Sequence, residues 1–181
     1  MRQNFYSVPV RFVGQRIDVR LGADTVAAFN GAAVVAEHAR LSGRHSESLV
    51  LDHYLETLAF KPGAFAGATA LAAARRCGAF TNSHDRYLTA ARRHLGDQDG
   101  TRAMIEVLLA HRHLPAAAIC AGINAALSVG SVDPQVVIVE SRRHNQPSSG
   151  DVVVPIGALA RFDRPAPGLA RYDNLLKRTA Q

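Results

Sequence analysis

Tryptophan is absent from this 181-residue chain, and Phe and Tyr together make up only 6% of it. A core must therefore come mainly from Ala, Val and Leu, and helices with Ala-rich faces approach closely. Only two cysteines occur, Cys77 and Cys120. Each sits in an Ala-rich apolar context without metal-ligand spacing. That excludes a disulfide framework or a zinc ribbon and predicts small buried thiols in a reduced cytoplasmic protein. No apolar run approaches the roughly 18 residues of a membrane span, and the N-terminus lacks a charged-then-apolar signal segment. No membrane partner is expected.

Chemistry-bearing motifs are equally scarce. No glycine-rich strand-to-helix turn ends in Lys-Ser or Lys-Thr, so no phosphate-cradling P-loop is expected. There is no nucleophile elbow. Two-metal nucleic-acid enzymes need converging carboxylates, but Asp52, Asp85, Asp97 and Asp133 stand at helix starts, where they cap and complement the dipole. Asp18 is mid-strand between Arg16 and Arg20 and reads as a surface ion pair. His111 and His113 point about 200° apart on a helix, which argues against a metal pair. The expectation is no cofactor, no metal, no catalytic residue, and hence not an enzyme.

What is present is arginine. Lys61 and Lys177 are the only lysines, and the net charge is +6. Residues 1–46 carry six Arg against three acids, residues 47–139 are neutral, and residues 140–181 carry seven basic groups against four acids. Two basic flanks around a neutral centre favour a polyanion partner.

The first flank alternates. Val8, Val10 and Phe12 interleave with Pro9 and Arg11, and Ile17, Val19 and Leu21 interleave with Arg16, Asp18 and Arg20. Two-residue alternation sends apolar side chains to one face of a sheet. Asn30-Gly31 between two apolar runs predicts a hairpin with φ > 0 at both turn positions. The pattern predicts a closed or nearly closed small barrel over 1–46 with Arg11, Arg16 and Arg20 outside. Arg40 to His45, including Arg44, forms a polar link out of it.

A run of short helices is expected over 47–144. The first starts at a Ser46 or Ser48 cap, spans Leu49 to Ala59 and is stopped by Lys61-Pro62-Gly63. Others cover Gly67–Cys77, a segment after Thr81 ending at Gly96, a segment from Asp97 to Leu114, Pro115–Ser128, and Asp133–Arg143. Residues 145–181 have the composition of a Pro/Arg-rich linker and flexible tail. Within it Val152–Ile156 could add a strand, and Tyr172–Leu176 forms a small apolar anchor. No fixed-period repeat is present. The fold class is α+β: small barrel, helical array, tail.

Phe5–Arg20, written Phe-Tyr-Ser-Val-Pro-Val-Arg-Phe-Val-Gly-Gln-Arg-Ile-Asp-Val-Arg, resembles the start of the region that follows the catalytic core in IstA-type insertion-sequence transposases. Leu21–Arg44 is similar to its continuation. Asp52–Glu56, Lys61–Gly63, Gly100–Arg102 and Ile105–Leu108 resemble the helical C-terminal part of one branch, and Ala170–Leu176 its closing segment. The resemblance implies a relative of Mu transposase and retroviral integrases, in which a catalytic RNase H-like domain precedes a small SH3-like β-barrel that contacts DNA or organises the assembly. It also implies an AAA+ helper ATPase as partner. The catalytic domain with its acidic triad is missing, so an excised C-terminal fragment or a truncated gene product is expected.

The leading expectation is a non-catalytic module binding DNA at transposon ends through Arg11, Arg16, Arg20, Arg40, Arg44 and His45. The alternative is a protein-interaction module that docks the helper ATPase or another transposase subunit, with Tyr172, Leu175 and Leu176 as partner-binding residues. A second copy of the chain is a further candidate partner. The third reading is a stable remnant without function of its own.

Overall fold

In a computed structural model that describes residues 3–146, the chain enters through a two-residue strand, β1 (Phe5–Tyr6). The alternation after it does not continue the strand. Pro9, at φ −55° and ψ 135°, accepts the Phe12 N–H at 3.0 Å, and Val10 accepts that of Val13 at 3.0 Å. The result is a 3-10 turn over Val10–Phe12. Proline has no N–H for a ladder and a fixed φ, and this corrects the reading of Val8, Val10 and Phe12 as strand.

A three-stranded antiparallel meander follows: β2 (Asp18–Leu21), β3 (Thr25–Asn30) and β4 (Ala33–Ala39), in that spatial order. The hairpin forms one residue later than Asn30-Gly31 implies. Asn30 pairs with Ala33, so Gly31 and Ala32 are the loop, and only Gly31 has positive φ, at +62°. Glycine in the first loop position fits a type II′ turn. Ala28 faces Ala36 and Phe29 faces Val34, which leaves Val35 as a bulge.

β5 (Glu47–Ser48) pairs with β1 in parallel, forming a second, separate sheet. No closed barrel forms among the described residues. The stretch between Ser7 and Ile17, needed to join the two sheets, goes into the 3-10 turn and a reversal at Gly14, whose φ is +82°.

The rest is mostly helical, so the chain is α+β. Ser48 lies in β5 and Val50 is extended, so the first helix is not serine-capped. A 3-10 turn, Leu51–Tyr54, leads instead into α1 (Leu55–Phe60). Lys61-Pro62-Gly63 does stop it. Next come α2 (Thr69–Arg76), α3 (Asn82–Leu95), α4 (Asp97–Leu109), α5 (Ala116–Ser128) and α6 (Pro134–Asn145). Thr81 caps α3 in a capping box with His84 where Glu or Gln is usual. Asp133 caps α6, accepting the Gln135 N–H at 2.8 Å.

Leu55, Phe65, Leu71, Tyr87, Met104, Ile105, Ile119, Ile123 and Val137 form the centre of the helical core. Tyr87 is fully buried and its hydroxyl donates to the Val132 carbonyl at 2.8 Å. α5 and α6 pack most closely at Gly122, where a Cβ would lie 2.6 Å from the Val137 carbonyl oxygen and against Ser141 Oγ. Cys120 is half-buried, but Cys77 is exposed just after α2, contrary to the expectation of a core thiol. All described residues fall in one compact unit, Met1–Pro147.

Candidate nucleic-acid interface

Strand alternation sorts the meander into two faces. Val19, Leu21, Val26, Ala28, Ala36 and His38 share one, and Asp18, Arg20, Ala27, Phe29 and Glu37 the other. Val26, Ala28, Ala36 and His38 are buried, while Val19 and Leu21 remain 41% and 51% exposed. The apolar face is thus covered over β3 and β4 but open along β2.

Arg11, Arg16, Arg20, Arg40, Arg44 and His45 are all exposed. The Arg20 guanidinium lies over the Phe29 ring, 4.4 Å from its centroid, and that of Arg11 lies 5.1 Å from the Phe12 centroid. Stacking holds the planar group flat and leaves its N–H edges free for phosphate oxygens. The ion pairs among the described residues involve Arg75, Arg102, Arg112 and Arg143. None involves Arg11, Arg16, Arg20, Arg40 or Arg44, so no ion pair among the described residues neutralises their charge.

The six residues do not form one cluster. Gln15 Nε2 donates to the Arg11 carbonyl at 3.3 Å, and Asn30 Nδ2 donates to Gln15 Oε1 at 2.7 Å. These bonds pin the Arg11–Arg16 loop to the hairpin tip. Arg40 sits at the opposite end of the meander and donates to the Gly22 carbonyl at 2.8 Å. Arg20 lies between. Arg44 and His45 ride on the link, which Asn4 ties to β1: its Nδ2 donates to the Leu41 and Gly43 carbonyls at 3.1 and 2.9 Å, and its Oδ1 accepts from Ser46 N–H at 3.1 Å.

Beneath the meander lies a buried polar node that sequence reasoning missed. His38 Nε2 is 2.7 Å from the Ser7 carbonyl, which can only accept, so Nε2 carries the proton. Nδ1 then accepts from Ser48 Oγ at 2.9 Å. Ser7 Oγ accepts the Val50 N–H at 3.0 Å and lies 2.8 Å from His53 Nδ1. Burial, then the neighbouring His38, hold His53 below its ordinary pKa, so it stays neutral and accepts the Ser7 proton. The Ser7–His53 contact has the look of a nucleophile and base. However, the hydroxyl is buried and already receives a backbone N–H, and neither ring bonds a carboxylate. The node fastens β1, β4, β5 and the Leu51–Tyr54 turn together. Its members are scattered from residue 7 to residue 53 and left no local pattern to read.

A second pair also escaped the sequence. His84 is fully buried, and its Nδ1 accepts the Thr81 N–H at 3.1 Å. Its proton therefore sits on Nε2, 3.1 Å from His111 Nε2, to which it donates. Burial first and His111 second push its pKa down to about 4, and burial also lowers His111. Among the described residues no group of three or more His, Cys, Asp or Glu side chains could hold a metal. His113 lines a separate groove with Glu106 and Arg142, so the two histidines of that triplet do diverge. Arg112 pairs with Asp52 at 2.7 Å and Glu56 at 2.8 Å, joining the 3-10 turn that follows α4 to the Leu51–Tyr54 turn and α1.

Tyr172, Leu175 and Leu176 lie outside the described residues. Among the described residues no helix is long and apolar enough to cross a membrane. Residues 1–50 match the family model described as Mu transposase, C-terminal domain. The match supports a transposase-related C-terminal region for that segment, which holds the five β-strands of the described residues and the six candidate residues Arg11, Arg16, Arg20, Arg40, Arg44 and His45. It stops just before the Leu51–Tyr54 turn, so the helices lie beyond it. No curated protein and no solved structure matches the chain.

Proposed function

We propose that this chain is the non-catalytic C-terminal portion of an IstA-type DDE transposase, contributing DNA binding at transposon ends and assembly of the transposition complex. One coincidence carries the reading: the 50 residues that match the Mu transposase C-terminal domain also hold five exposed arginines with no carboxylate partner in that segment. Segment 1–46 then serves as the DNA-facing part and 47–144 as its helical support. The tail, 145–181, offers Tyr172, Leu175 and Leu176 to a partner. Arginines at both ends of a small sheet suit the phosphate backbone, which gives affinity and orientation with little base reading.

Binding of transposon-end and random duplexes, followed by fluorescence anisotropy between about 50 and 200 mM salt, tests this. Affinity is expected to fall steeply with salt. Arg16→Ala with Arg20→Ala should weaken binding by similar factors on both duplexes and reduce the log–log salt slope by about 2. Absence of binding, or a flat salt response, refutes it.

A second reading is favoured by a different observation. Phe5, Val13, Val19, Leu21 and Val34, all inside the matched segment, are between 41% and 76% exposed. Such a surface suits docking of an AAA+ helper ATPase or another transposase subunit without direct DNA contact. Capture of that partner by a Val19→Ser, Leu21→Ser variant at undiminished level would count against it.

A further inference from the structure

β2 is the outer strand of its sheet, and Asp18, Val19, Arg20 and Leu21 are all exposed. The Gly22 N–H donates to the Thr25 carbonyl at 2.8 Å, toward β3. Backbone groups alternate in direction along an edge strand. Asp18 and Arg20 therefore turn their N–H and C=O toward β3, and Ile17, Val19 and Leu21 turn theirs outward. Among the described residues no strand pairs with that outer edge.

We propose that two copies of this chain associate by pairing β2 with β2, antiparallel about a two-fold axis through Val19. The segment Ile17-Asp-Val-Arg-Leu21 is self-complementary about its centre. Val19 meets Val19, Ile17 meets Leu21, and Asp18 meets Arg20 twice. This register makes Ile17, Val19 and Leu21, whose backbone groups point outward, the hydrogen-bonded pairs. Asp18 and Arg20 then fall in the positions where opposed side chains lie closest. The apolar residues of both strands lie on one face and the charged ones on the other. Arg20, stacked over Phe29, turns its N–H edge to the facing Asp18 carboxylate instead of to phosphate, so that in this dimer Arg11, Arg16, Arg40 and Arg44 are the arginines left for DNA.

Neighbouring registers do worse. Centring on Asp18 opposes Asp18 to Asp18 and Arg20 to Arg16. Centring on Arg20 opposes Arg20 to itself, and centring on Leu21 opposes Asp18 to Asp24. A centre at Ile17 runs off the strand into the reversal at Gly14. A centre between two residues pairs outward backbone groups with inward ones. The Val19 register yields an isologous, closed dimer with one six-stranded sheet, and it removes an exposed edge.

Light scattering and sedimentation of the full chain without DNA test the proposal independently of nucleic-acid binding. Wild type is expected at twice 19.4 kDa by the time its concentration reaches about 100 μM. Asp18→Arg faces Arg with Arg, and Arg20→Asp faces Asp with Asp, so each should raise the dimer dissociation constant at least about tenfold. An equimolar mixture of the two variants, and the double variant D18R/R20D, should dimerise again, which also shows that the single variants are folded. A monomeric wild type, which would leave the edge to another protein, overturns the proposal. So do single variants that dimerise unchanged, or a mixture of folded variants that stays monomeric.

Discussion

Acidification should weaken this fold through His84 in a way that one substitution can isolate. His84 is fully buried, 5.1 Å from the Phe80 ring and 5.3 Å from His111. Protonating it would take away the acceptor of the Thr81 N–H and leave only the Thr81 hydroxyl, 2.8 Å from Nδ1, to receive the new proton. Its folded pKa of about 4 lies below the roughly 6.5 of an unfolded histidine. Unfolding therefore takes up a proton in that interval. The stability this group contributes is complete above about pH 6.5 and is lost as pH falls toward 4. Integrated to about pH 4.5, the loss is about 2–3 kcal/mol. His84→Gln places at the third helical position a residue that the capping box normally uses, so the Thr81 N–H keeps an acceptor that does not titrate. The variant should be less stable by about 1–2 kcal/mol near neutrality, from lost ring packing. That gap should close or reverse near pH 4.5. Urea melts of both proteins at half-unit steps between about pH 7.5 and 4.5 measure this. The Arg112 ion pairs are the same in both proteins and cancel in the difference. Parallel stability curves would refute the tautomer assignment and the burial argument together.

Ser7→Ala removes the acceptor of the Val50 N–H and the donor to His53, and should cost about 2 kcal/mol in urea melts, against about 1 kcal/mol for Ser48→Ala. Gly122→Ala drives a methyl into the Val137 carbonyl and Ser141 Oγ and should destabilise by about 1–3 kcal/mol, seen as a lower melting temperature at unchanged m-value. Residues 1–50 expressed alone should show no cooperative thermal transition by circular dichroism, whereas the whole chain shows one.

The helices were legible in the sequence because their punctuation is local. Lys61-Pro62-Gly63, Thr81, Gly96, Pro115 and Asp133 each act through backbone geometry or a cap within a few residues, and each marks an end or a start close to its expected place. The β-segment was harder. Pro9 sits inside a perfect period-two pattern and turns it into a 3-10 turn, because a missing N–H outweighs alternation. Asn30-Gly31 announces the hairpin but not its register, which shifts by one residue because only Gly31 takes positive φ. Arg11, Arg16 and Arg20 are exposed, but not on the outside of a barrel, and their separation by the hairpin length depends on Gln15 bonding Asn30, a contact without sequence signature. Ser7, His38, Ser48 and His53 were invisible for the same reason: their meeting is purely tertiary.

That tertiary meeting bears on what the matched segment can do by itself. Among the described residues of 1–50 the buried apolar ones are Pro9, Val26, Ala28 and Ala36, a set too small to exclude water from two sheets. What supplements them is polar and crosses the segment's end: Ser7 reaches His53, and the Val50 N–H, at the segment's last residue, reaches back to Ser7. His53 in turn belongs to a turn whose Leu51 packs in the helical core and whose Asp52 is held by Arg112 from the turn that follows α4. The arginine-bearing sheet is thus positioned by the helices through a short chain of contacts, Arg112 to Asp52, His53 to Ser7, and Ser7 to His38. Loosening any link should reorient the basic surface before it unfolds the helical core. For that reason Ser7→Ala is expected to weaken DNA affinity although its side chain is buried and touches no solvent-facing arginine.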